Sequence, residues 1–105
     1  MILQILFYKL QDHVDEAQLV EMIRTSRSIL LKIPEILSVR SGRSIQPDAD
    51  WPFFVALEYD SLDKKRIAED DPVYLKFHKI IIEPLTAASY IMDYETDPSK
   101  DLKYS

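Results

Sequence analysis

Ile33-Pro34-Glu35-Ile36-Leu37-Ser38-Val39-Arg40-Ser41-Gly42-Arg43-Ser44-Ile45 joins the end of an amphipathic segment to an extended one. Pro34 lacks a backbone donor and restricts the residue before it, so a helix stops here. Leu37–Gln46 reads as a strand, and Gln46–Asp50 as the turn after it. The one glycine of the chain, Gly42, falls inside that strand. A glycine there predicts a bulge or the close approach of another backbone.

Upstream, residues 2–10 form an apolar run too short for a helix and read as a central strand. Ile2, Gln4, Leu6 and Tyr8 point one way; Leu3, Ile5, Phe7 and Lys9 point the other. Asp15 and Gln18 have capping-box spacing, with Val14 and Leu19 placed as a hydrophobic staple. Leu19, Ile23, Leu30 and Ile33 then recur at helical spacing, widened by Met22, Ser26 and Ile29. Downstream, Trp51–Asp60 alternates as a third strand. Ser61 caps a helix through Glu69, Pro72 opens a renewed helix reaching Glu83, and Pro84 closes it. Ala88–Glu95 is the fourth strand.

This order, βαββαβ, is the ferredoxin-like split βαβ arrangement: an α+β fold with a four-stranded antiparallel sheet and both helices on one face. Residues 1–95 make one domain and 96–105 a polar tail. Strands 1 and 3 are apolar on both faces, so one sheet face needs a cover. A second copy supplies it, and the expected assembly is a homodimeric α/β barrel.

The chain has 105 residues and a net charge of -5, from 13 basic and 18 acidic residues. That balance argues against nucleic acid, which needs a basic patch, and against an anionic membrane surface. No apolar run is long enough to span a membrane, and the N-terminal run lacks the basic region and cleavage site of a signal peptide. A cytoplasmic protein is expected. Without cysteine, disulfides and thiolate chemistry are excluded.

The same segments resemble the stress-responsive dimeric α/β barrel (Dabb) domain. The matching residues are the opening strand ending in Lys9, Ile33-Pro34 with Leu37-Ser38, and Gly42-Arg43. Phe53-to-Tyr59 leading into Asp60-Ser61, Pro72 with Phe77, and Asp93-Tyr94-Glu95 complete the set. Most members of that family have no assigned activity or are tied loosely to stress responses. Some plant relatives cyclise linear polyketides with a first-strand histidine and another in a His-Pro-x-His-like stretch. Here those places hold Gln4 and Asp71-Pro72-Val73-Tyr74, so that mechanism does not carry over. Related dimeric-barrel families bind or degrade haem, for which His78 would be the axial ligand; no local motif supports it, and no cofactor is expected.

His13 reads as a solvated loop residue. His78 follows Tyr74 by one helical turn, so the two share a face. Gln4 and Tyr8 of strand 1 and Tyr59 of strand 3 point toward the same side. Gln4, Tyr8, Tyr59, Tyr74 and His78 are therefore the candidate ligand-binding residues, suited to a small apolar or aromatic molecule held between sheet and helices. The alternative is a cyclase- or monooxygenase-like enzyme with His78 and Tyr74 in acid-base roles. A further alternative is a structural dimerisation module without ligand. No metal site is expected: Asp70, Asp71 and Asp93 lie apart, and the Asp pair suits a helix start. Lys64-Lys65-Arg66 reads as a solvated helix face.

Overall fold

The computed structural model describes residues 1–97, which run β1 (Ile2–Leu10), α1 (Glu16–Leu30), β2 (Ser38–Arg43), β3 (Phe53–Tyr59), α2 (Leu62–Glu69), α3 (Pro72–Phe77), a π-helical turn (His78–Ile82), α4 (Glu83–Leu85) and β4 (Thr86–Glu95). The strands form one four-stranded sheet in the order β2-β3-β1-β4, with every pair antiparallel. This is the expected α+β, ferredoxin-like βαββαβ topology, with β1 and β3 in the centre.

Local signals set the helix starts. Asp15 Oδ1 accepts from the Gln18 amide at 2.8 Å while Gln18 Oε1 accepts from the Asp15 amide at 2.9 Å, closing the capping box of α1. Ser61 caps α2 through the Lys64 amide at 3.3 Å. Asp71 caps α3 through the Val73 amide at 2.8 Å, with Pro72 in the first turn.

The third helical segment differs from expectation. It does not run unbroken to Glu83: after Phe77 the ladder widens, and the Glu83 amide donates back to the His78 carbonyl, a π-type bond. Pro84 does not end the helix but sits inside the short α4. Thr86 Oγ1 then donates to the Ile82 carbonyl at 2.7 Å, satisfying an acceptor at the helix end. β4 begins at Thr86, two residues before the expected Ala88, while β2 and β3 are shorter than their sequence patterns.

One sheet face carries the core. Ile2, Leu6, Tyr8, Phe53, Val55, Leu57 and Tyr59 are buried with Met22 and Leu30 of α1 and Phe77 of α3. Ser41 Oγ donates to the Ile23 carbonyl at 2.6 Å, tying β2 to α1, and Arg43 pairs with Glu16 across the same junction. The opposite face carries Leu3, Ile5, Phe7, Phe54 and Ala56, each half-buried, with Tyr90 53% exposed. No helix covers it.

Gly42 corrects the sequence reading. The β2–β3 register is unbroken from Ser38↔Glu58 to Arg43↔Phe53, so there is no bulge, and no backbone closes in. The close neighbour is a ring: a Cβ at Gly42 would stand 3.0 Å from Phe54 Cε1. Thr96 of the expected tail is tied to the sheet, its amide donating to the Met1 carbonyl at 2.8 Å. Residues 98–105 of that tail lie outside the described residues. Among the described residues no helix is long and apolar enough to cross a membrane.

Candidate functional site

Strand alternation presents Gln4 and Tyr8 of β1 and Tyr59 of β3 to the helix layer, and the start of α3 adds Tyr74. All four are buried: Gln4 and Tyr8 are 1% exposed, Tyr59 0% and Tyr74 6%. Protein atoms therefore surround the first three on all sides. The Tyr59 hydroxyl donates to Gln4 Oε1 at 3.2 Å. Tyr8 stacks on Phe53 with ring centroids 5.6 Å apart. The sequence reading placed these residues together, and the structure does so.

His78 stands at the border of this group. Its ring lies 5.1 Å from that of Tyr74 and 5.5 Å from that of Phe77, so the expected shared face is present. It also lines an outer groove of about 660 Å³ with Pro72, Leu75, Lys76, Lys79 and Glu83. His78 is half-buried, with Tyr74 and Phe77 against its ring. His13 lies exposed in the turn after β1, as expected.

Three charged residues border the cluster that sequence reasoning did not assign to it. Lys65 of α2 is not on a solvated face: its side chain is 14% exposed, and Nζ lies 3.2 Å from Glu69 Oε1 and 3.5 Å from Asp93 Oδ2. The Lys65–Glu69 half was legible as an i,i+4 pair. Asp93 was not, because its place follows from the β1–β4 register, which sets it opposite Gln4. Ser26 is the other omission. It is 0% exposed, and its Oγ is the one fully buried side-chain oxygen or nitrogen without a partner among the described residues. The sequence signal was a lone hydroxyl on the apolar stripe of α1.

Burial sets the protonation states. Desolvation raises Tyr59 and Tyr74 far above the ordinary phenol range, reinforced at Tyr59 by Tyr74 and at both by Glu69 and Asp93, and desolvation with Tyr74 does the same for Tyr8. All three stay protonated, and the Tyr59 hydroxyl is a neutral donor to Gln4. Desolvation lowers the His78 pKa, opposed by Glu83 and Glu69, so the imidazole is neutral at neutral pH and able to accept a proton. Among the described residues no group of three or more His, Cys, Asp or Glu side chains is placed to hold a metal ion. The cluster offers neutral phenol and amide donors in an apolar wall, with one imidazole at its edge.

A protein-family model described as the stress responsive A/B barrel domain (Dabb) matches residues 2–96. The chain belongs to the Dabb family. No curated protein matches it. Solved structures extend the fold comparison. A dimeric ferredoxin-like protein of unknown function from Thermobifida fusca is 26% identical, with a TM-score of 0.77 over 90% of this chain and 90% of that one. A Dabb family protein with a ferredoxin-like fold from Mesorhizobium loti is 18% identical, with a TM-score of 0.79 over 90% and 95%. A hydroxynitrile lyase from Passiflora edulis is 16% identical, with a TM-score of 0.76 over 94% and 95%. Below a quarter identity, such likeness speaks for the fold alone.

Proposed function

We propose that this Dabb protein is a homodimer in which each subunit receives a small apolar or aromatic molecule against the Gln4–Tyr59–Tyr74 cluster. The observation that carries the ligand reading is the cluster itself: protonated phenols and an amide, converging from β1, β3 and α3 inside an apolar layer. Such a set fixes the orientation of a ligand while aromatic walls supply the contact. His78 is the half-buried member of the group and stands against the Tyr74 ring, so a ligand enters at that border. The uncovered apolar sheet face supports the homodimer, as does the dimeric Thermobifida fusca relative. A cytoplasmic setting without nucleic acid or membrane partners belongs to the same proposal and rests on the acidic charge balance.

A thermal-shift and NMR titration with phenol, resorcinol and benzoate, on wild type and Tyr74→Ala, tests it. Shifts centred on Gln4, Tyr59 and Tyr74 that vanish in the variant support the proposal. Shifts elsewhere, or none, leave the dimerisation module without ligand as the better account. A second reading, acid-base catalysis by His78 and Tyr74, is favoured by their ring contact and the neutral imidazole. Its mark would be turnover of a bound phenolic substrate lost in His78→Gln while binding persists.

A further inference from the structure

The uncovered sheet face is not uniformly apolar. A depression of about 510 Å³ is floored by Leu3, Ile5 and Ala56 and bordered by Arg40 and Glu58. The β2–β3 register sets Arg40 opposite Ala56 and Ser38 opposite Glu58, so the two charges are diagonal neighbours on one face. Arg40 is exposed and makes no ion pair among the described residues. Glu58 is half-buried, and among the described residues its carboxylate accepts only from Ser38 Oγ, at 2.6 Å. Each charge thus lies beside apolar surface without an opposite charge in contact.

We infer that this face is self-complementary, with Arg40 of one copy pairing with Glu58 of the partner subunit, twice about a two-fold axis. The inference rests on the homodimer reading and sets the register of that dimer. Covering the face with an apolar partner would strand both charges in a dry interface, which is costly. A second copy brings both missing counter-charges at the right spacing, because an isologous interface uses one patch twice. The strand register places the axis. A line that bisects Arg40 and Glu58 runs diagonally over the sheet, past Ile5 toward Tyr90. Turning the sheet over about that line sets each guanidinium above the partner's carboxylate. It also lays the aromatic end of the face, Phe7, Phe54 and Tyr90, near the axis, with the strands of the two copies crossing steeply, as in orthogonal sheet packing.

Charge reversal followed by sedimentation equilibrium tests the pairing, with circular dichroism confirming that each variant folds. Arg40→Glu opposes two carboxylates twice, and Glu58→Arg opposes two guanidinium groups twice. Each alone weakens dimerisation by about tenfold or more, since like charges at a register position are strongly disfavoured. An equimolar mixture of the two variants forms heterodimers in which both pairs are restored, with affinity within about threefold of wild type. If reversal unfolds the chain, Arg40→Gln and Glu58→Gln each still weaken the dimer. Wild type that is monomeric at micromolar concentration overturns the homodimer reading itself. Dimeric wild type with unaffected reversal variants overturns the pairing and leaves the homodimer standing. Rescue in the Arg40→Glu/Glu58→Arg double variant but not in the mixture shows a pair within one chain and likewise overturns it.

Discussion

The Tyr59 hydroxyl donates to Gln4 Oε1 across adjacent central strands, and neither side chain is more than 1% exposed. At 3.2 Å the bond is longer than the usual hydroxyl–oxygen distance, so its own strength is modest. Its importance lies in what breaking it leaves. Gln4→Leu strands a buried phenol proton, and Tyr59→Phe strands a buried amide, each costing about 1–3 kcal/mol. Removing both together costs less than the sum of the two, because no orphan remains. Urea unfolding of the two single variants and the double, at one protein concentration, checks this. Additive losses would mean that the two groups do not depend on each other.

Ser26 has the opposite sign. Its hydroxyl is buried and unpaired, and serine is the poorer helix former. Ser26→Ala should stabilise the protein by about 1 kcal/mol, since alanine keeps the fit and discards the desolvated oxygen. Urea titration gives the sign directly. A loss of stability would show that the hydroxyl has a partner in solution.

These two positions show what the sequence could and could not reveal. Period-2 alternation in β1 and β3 placed Gln4 and Tyr59 on one face, because alternation is a property of the strand alone. The spacing of Asp15 and Gln18, and Ser61 before its helix, located helix starts for the same local reason. Lys65 and Asp93 meet only through strand register and helix placement, which are long-range. The π turn also escaped the pattern. Its residues, His78–Ile82, keep a helical apolar period, and nothing local distinguishes five residues per bond from four. Gly42 drew attention rightly, but the neighbour that needs the space is the Phe54 ring rather than a backbone.

Phe53 and Phe54 are adjacent in β3 and face opposite layers. Phe53 is 0% exposed in the core, while Phe54 is half-buried on the open face. Phe53→Asp places an unpaired carboxylate in the interior and should prevent folding. Phe54→Asp should leave a folded chain, with native circular dichroism, that sediments as a monomer at micromolar concentration. A still-dimeric Phe54→Asp variant would move the interface away from this face.

His78 makes stability depend on pH in a direction that follows from its surroundings. Desolvation lowers its folded-state pKa below the ordinary 6.5, with Glu83 and Glu69 opposing the shift. The unfolded chain therefore takes up the proton first as pH falls. Above about pH 6.5 both states carry a neutral ring and the contribution is constant. Below it the unfolded state is favoured, and stability declines until the folded state also protonates. His78→Gln removes this term, so its unfolding free energy should change less between pH 7 and pH 5.5 than that of wild type. Glu83→Gln should steepen the wild-type decline, because it removes an anion that helps the folded imidazole charge. Chemical denaturation of the three proteins across that range, at matched ionic strength, decides it. Parallel pH profiles for wild type and His78→Gln would mean that the ring is fully hydrated, and that the Tyr74–His78 border of the cluster stands open to water.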